Sequence, residues 1–492
     1  MLARRVEALR LGELAAAALA TLCTLLLAFA ASHKLGSGGL VVPLVIVLAA
    51  ILVMRPLLSV VLVVGLTVLC EGPSFGILTF TSDLYQTFYR NLSVLDGLVG
   101  LAIAAVAMDV VRKRRHLLLP RPLVLPLSIL MLAMVAGVVT GYKAGASLRF
   151  VVMSEDVLAY LLLLPIAVAN LDIDRRQIQL LLGGAVALAI FKAMLGLIEI
   201  GSGHGTGIEG GSITLTYYEP LANWLIMIVM LGVFALALAR VRPPLWVLLG
   251  SPLLIASLLF SYRRSFWIAS VLGLALVLLL GTTPTGRRLL VPAGLGVTVA
   301  IWLLGSTNFQ SQLPIVKRAT SLNPTSIQSN AEDRYRLDER ADVTAEIRAH
   351  PISGLGMTIP WSASVRTPSI DRPAGRQYVH FAALWFWLKL GILGLIAYIG
   401  ILIASAILAW QAWRRSREPV LRAFGLASLC GIAGLVAIET TASFTGVDAR
   451  FTVLFAAQLG LLALVARTGE PAGEEEGPAR EGEGSARRPL AP

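Results

Sequence analysis

Arg263 and Arg264 stand side by side in Ser261-Tyr262-Arg263-Arg264-Ser265-Phe266-Trp267, a short turn between two apolar runs. A guanidinium is a permanent cation with a planar fork of donors, so a pair of them suits an anion with paired oxygens, above all a phosphate. The same pair could instead snorkel to a membrane surface or form a salt bridge to Glu199 or Glu439. A second basic group lies between Asn330 and Arg340, in a stretch that continues to Ile347-Arg348-Ala349-His350-Pro351. It reads as a helix capped by Asn330, with Glu332 and Asp333 in its first turn and Pro351 as its stop. Arg336 and Arg340 are four residues apart and share a face, where they could clamp a pyrophosphate. An ordinary surface helix, with Glu332 paired to Arg336, would show the same spacing. His380, in Tyr378-Val379-His380-Phe381, offers a neutral imidazole able to take a proton from a hydroxyl, or simply a hydrogen-bonded residue at an interface. Tyr217, Tyr218 and Glu219 open another apolar run. They could contact a sugar, or the tyrosines could belong to an aromatic belt.

The elements that must position these groups are set by composition. Of 492 residues, 57% are hydrophobic and 14% charged, with mean hydropathy +0.79. A soluble domain carries about 25% charge, so this chain lacks the polar surface to cover itself in water and lipid must be its solvent. The net charge of +12 is not spread as a nucleic-acid patch. It sits in short clusters between apolar runs, as flanking anchors do, which excludes nucleic acid as the expected partner. Cys23, Cys70 and Cys430 lie in or beside apolar runs without a CxxC pair and read as small buried hydrophobes.

A span needs about twenty mostly apolar residues. Fourteen candidates run over 11–31, 39–54, 56–70, 94–111, 121–140, 150–170, 178–199, 220–239, 245–261, 265–281, 289–305, 381–410, 421–439 and 451–466. The first follows Arg4, Arg5 and Arg10 and is long for a signal peptide, so it reads as a span. With fourteen spans and a cytoplasmic N-terminus, the clusters at Arg55, Arg112–Arg115, Arg175/Arg176, Arg240/Arg242, Arg287/Arg288, Arg414–Arg417 and Arg467 all fall on the cytoplasmic side. The expected organisation is an all-α polytopic inner-membrane protein with both termini cytoplasmic. Residues 1–305 form the first block of spans, 306–380 a long outward loop, 381–466 the last three spans, and 467–492 a disordered tail. The loop holds nine Lys/Arg and seven Asp/Glu, and a loop of that length is expected to be functional.

Charges inside spans, Glu155, Asp156, Lys192 and Lys389, are costly and call for partners or a cavity. Glu155/Asp156 could pair with Lys192 or Arg149, or could line an ion path in a transporter. No Walker A, HExxH or GxSxG motif is present. The first outward loop, Ser32–Gly38, has no acidic pair to hold a divalent ion, so no cofactor and no metal are expected.

Three stretches, in order, resemble the O-antigen ligase/polymerase family of bacterial membrane glycosyltransferases. Ser261–Ala269 resembles its outward Ser-Arg turn, with Arg264 at the arginine position when Trp267 and Ala269 are aligned. Arg336 through Gly356 resembles its arginine helix followed by "HPxxGxG", here His350-Pro351-Ile352-Ser353-Gly354-Leu355-Gly356. His380 through Leu395 resembles "HNxxLxxxxExGxxGL", matching at His380, Leu384, Gly391, Gly394 and Leu395. The chain departs from the pattern at Phe381 (asparagine in the family), Lys389 (glutamate) and Arg340 (often aromatic). The resemblance implies a GT-C-like fold and a glycan donor on undecaprenyl pyrophosphate, with a glycan or lipid hydroxyl as acceptor. It also implies Arg264 or Arg263, with Arg336, as holders of the departing pyrophosphate, Arg340 as helper, and His380 as general base. The competing function is a lipid-linked oligosaccharide flippase or another polytopic transporter.

Overall fold

In the computed structural model, residues 41–70, 84–85, 87–89, 92–203, 206–207, 215–216, 219–281, 331–364 and 377–468 are described. They form helices α1 Val41–Met54, α2 Pro56–Leu69, α3 Val94–Arg112, α4 Arg121–Lys143, α5 Leu148–Met153, α6 Asp156–Ala169, α7 Arg175–Gly201, α8 Pro220–Leu238, α9 Leu245–Phe260, α10 Arg264–Gly281, α11 Ala331–Ala349, α12 Ala382–Arg415, α13 Pro419–Glu439 and α14 Ala449–Thr468. Two short antiparallel strand pairs precede α3 and α8. Helix starts follow local chemistry. Ser93 with Asp96, and Asp174 with Gln177, form capping boxes, while Pro56, Pro220 and Pro419 occupy first helical positions where no N–H is needed.

Nine described helical segments, with α5 and α6 counted together, are long and apolar enough to cross a membrane. A helix meets that demand because its backbone hydrogen bonds are satisfied within the segment. The expected count of fourteen resolves differently from a row of equal spans. The runs 39–54 and 56–70 form two 14-residue helices that meet at a bend of 116°. At about 1.5 Å per residue each reaches roughly 21 Å, short of the ~30 Å hydrocarbon thickness. The run 245–261 is the 16-residue α9. The runs 11–31 and 289–305, and the tail beyond Thr468, lie outside the described residues.

The helix ends sort by charge. Arg55, Asp109, Arg112, Lys113, Asp172 and Gln177 line one crevice, and Arg175 donates to the Thr468 carbonyl at 2.6 Å. Arg55, Arg112, Lys113 and Arg175 belong to the basic clusters expected to share one side. Asp172 is pulled below the usual carboxylate range by its hydrogen bond from Lys113. Inside, α14 is the most enclosed span, packed on α6 and α12, and α13 packs on α10, α12 and α8. Small residues allow the close approach: Gly434 lies against Ala269, and Gly460 against Pro165 and Val168.

α12 is broken at Gly391, whose φ 69° and ψ −165° belong to a region open essentially to glycine alone. The break frees backbone groups, and the His350–Gly356 loop takes them. The Leu355 N–H donates to the Leu388 carbonyl at 2.7 Å, and the Ile392 N–H to the Ile352 carbonyl at 3.1 Å. On its other side the loop meets α4, where the Met357 N–H donates to the Gly137 carbonyl at 3.3 Å. A Cβ on Gly391 would stand 2.0 Å from the Ile352 oxygen. Gly391→Ala is therefore expected to destabilise the protein, by about 1–3 kcal/mol from backbone strain alone, and to release the loop. A thermal unfolding scan of the detergent-purified variant checks this, and an unchanged midpoint would refute it.

Candidate active site

The long loop begins its described part as α11, and α11 reaches the start of α12 through one contact. Glu339 is fully buried, and its Oε2 takes both the His380 backbone N–H at 3.3 Å and the His380 Nδ1 at 2.8 Å. Arg336 lies three residues earlier on the same helix and is half-buried. Tyr335 and Tyr378 hold the imidazole edge-on, with ring centroids 5.9 and 4.9 Å away. Burial and the Glu339 carboxylate push the Tyr335 phenol up to about 12.

The backbone bearing His380 is clamped from several elements. Trp385 Nε1 donates to the Gln377 carbonyl at 3.2 Å, Trp361 Nε1 to the Tyr378 carbonyl at 3.1 Å, and Ser443 Oγ to the Val379 carbonyl at 2.5 Å. With Glu339 on the His380 N–H, four successive backbone groups are fixed by four side chains. A base held this way loses little entropy on reaching a reactive geometry.

The arginine turn lies at the same end of the bundle. Ser261 caps it, donating to the Leu258 carbonyl at 2.7 Å and accepting the Arg263 N–H at 3.4 Å, while Tyr262 takes a left-handed φ of 50°. Arg264 is the first residue of α10, and Arg263 and Arg264 are both half-buried. Two residues on, Phe266 is buried against Phe444, with centroids 6.2 Å apart. Phe444 adjoins Ser443, which holds the His380 segment, so the turn between α13 and α14 links the arginine turn to the histidine.

The other expected residues are placed as follows. Arg340 is exposed, with its guanidinium 5.6 Å from the centre of the Phe381 ring. These are two of the three departures from the family pattern, and they touch each other: the aromatic ring sits on the α12 side of the contact and the cation on α11. At the third departure, Lys389 is buried and donates to the Ile359 carbonyl, which ties α12 to the segment after the loop. Tyr217 and Tyr218 lie outside the described residues. Glu219 is fully buried and takes Lys192 at 2.8 Å and Arg450 at 2.5 Å. Lys192 therefore pairs with Glu219 and not with Glu155 or Asp156. The carboxylate of Glu439, a candidate partner for the arginine pair, is occupied by Tyr398 at 2.5 Å and the Thr445 N–H at 2.7 Å.

Glu339 and the clamp residues Trp361, Trp385 and Ser443 were not singled out from the sequence. An acid three residues after an arginine on a helix reads as a local pair. Only the docking of α11 reveals that this one faces a histidine 41 positions away.

The fold and site define a polytopic helical membrane protein with arginines and one clamped histidine gathered at a single end of the bundle. Residues 249–399 match the family model described as O-antigen ligase. That segment runs from α9 through the break in α12 and encloses all three resembling stretches, which supports membership of the O-antigen ligase/polymerase family. No curated protein matches the chain.

Proposed function

We propose that the protein is a membrane glycosyltransferase that moves a glycan from undecaprenyl pyrophosphate to an acceptor hydroxyl at the outer face of a bacterial inner membrane. The observation that carries this reading is the contact of His380 with Glu339 on the helix that bears Arg336, at the bundle end that also holds the arginine turn. The acceptor hydroxyl gives its proton to His380 Nε2, and its oxygen attacks the anomeric carbon of the donor. The bond from that carbon to the phosphate oxygen breaks, and the lipid pyrophosphate leaves with the electron pair. Its growing charge needs fixed cations placed in advance. Arg264, at the N-terminus of α10 where the helix dipole also favours an anion, and Arg336 supply them. Arg263 and Arg340 stand close by along the chain, and no metal ion is required. The acceptor is either a lipid, as for a ligase, or a growing glycan, as for a polymerase. The glycan profile of a deletion strain separates these, since chains of single repeats mark a lost polymerase.

The test uses the purified protein in proteoliposomes with a polyprenyl-pyrophosphate glycan and an acceptor. His380→Ala should lower the turnover number about 10²–10⁴-fold, the usual contribution of a general base, while donor binding persists. Full turnover in His380→Ala would overturn the base assignment. Movement of the donor between leaflets without any glycosidic bond would favour transport instead.

A further inference from the structure

We infer that Glu339 is the positioning residue of the His380 base: it fixes which imidazole nitrogen carries the proton and where the other one points. The inference rests on the glycosyltransferase reading and assigns a residue that the family motifs do not contain.

The argument begins with the carboxylate's environment. Glu339 has no accessible side-chain surface, and its Oε1 meets no hydrogen-bond partner among the described residues. A buried carboxylate with one oxygen unmet is costly, so a surrounding that retains it must use the other oxygen. That oxygen, Oε2, receives the His380 backbone N–H, a group that can only donate. Oε2 is thereby fixed as an acceptor, and the His380 Nδ1 at 2.8 Å is the donor to it. A neutral imidazole with its proton on Nδ1 has its free electron pair on Nε2, the nitrogen turned away from α11. The tyrosine rings at either side, both nearly perpendicular to the imidazole, stop the ring from turning over.

This geometry distinguishes positioning from simple packing. Glutamine at 339 would keep an amide oxygen, and the backbone N–H of His380 would hold that oxygen, not the amide nitrogen, toward the ring. The Nδ1 proton would then still have its acceptor. Leucine would fill similar space and remove the acceptor altogether.

The experiment measures turnover number and donor KM in proteoliposomes for wild type, Glu339→Gln, Glu339→Leu, His380→Ala and the double variant Glu339→Leu/His380→Ala. Glu339→Gln should stay within about tenfold of wild type. Glu339→Leu should fall to the His380→Ala level, a loss of about 10²–10⁴-fold in turnover, with donor KM unchanged. The double variant should be no worse than either single change, as for residues that act as a unit. If His380→Ala is inactive but Glu339→Leu keeps wild-type turnover, or if the two losses multiply in the double variant, the inference fails and the glycosyltransferase reading stands. If His380→Ala is fully active, the base assignment fails and the inference with it; if the wild type forms no glycosidic bond, the glycosyltransferase reading itself fails. Should Glu339→Leu not accumulate in the membrane, Glu339→Asp replaces it. Its carboxylate is one methylene short of Nδ1, so turnover should drop at least tenfold at constant KM, and unchanged turnover would overturn the inference.

Discussion

Arg264→Ala and Arg336→Ala are each expected to lower glycan transfer by at least about a hundredfold, in membranes that still contain the protein at its usual level. The size follows from the charge that the leaving pyrophosphate develops. Removing one preorganised donor from such a site typically costs 10²–10³ in turnover, and a guanidinium contributes both a full charge and a paired set of N–H groups. The protein should persist because both side chains are only half-buried, at the first residue of α10 and on α11, so neither leaves a cavity in the bundle. Lysine at either position keeps the charge and loses the fork, so Arg264→Lys and Arg336→Lys should recover part of the activity but not all of it. Arg263→Ala separates the neighbours: Arg263 precedes α10 whereas Arg264 is its first residue, so the loss of Arg263 should cost less than that of Arg264. Product formation in proteoliposomes and immunoblots of the membrane fraction check each point. Normal transfer in both alanine variants would end the assignment of the arginines.

The sequence made the spans and the three candidate groups legible for different reasons. Apolar runs of about twenty residues declare themselves because a bilayer leaves a chain few other choices. α12 was readable as a span, but its break was not: Gly391 looks like any glycine in a helix until the His350–Gly356 loop is seen to occupy the freed backbone groups. The arginines and His380 stand out by type and position near helix ends. Their supports do not, because Trp361, Trp385, Ser443 and Glu339 act across separations of up to 64 residues and through ordinary side chains. Glu219 shows the opposite limit. At the start of an apolar run it was grouped with Tyr217 and Tyr218 as a sugar contact, but Lys192 and Arg450, distant in sequence, hold it inside the protein.

That arrangement yields the largest stability effect. Glu219 and Lys192 have no accessible side-chain surface and Arg450 very little, and the Arg450 guanidinium also stands 5.4 Å over the Tyr85 ring. The triad ties α7, α8 and α14 together where neither water nor headgroups can solvate a lone charge. Breaking a buried ion pair by removing one member usually costs about 3–5 kcal/mol, because the remaining charge is stranded. Here one deletion takes the shared carboxylate from two buried cations, against a total stability of only about 5–15 kcal/mol. Glu219→Ala should therefore leave little folded protein, seen as loss of the monodisperse peak in fluorescence-detected size-exclusion chromatography. The cost lies in the stranded charge, not in the attraction, so removing a cation together with the anion should relieve it. Arg450 keeps Asp448 at 3.6 Å in either case. Lys192→Met/Glu219→Met should accordingly recover most of the folded fraction that Glu219→Ala loses. A double variant as unstable as the single one would show that Glu219 holds these helices by contacts other than charge.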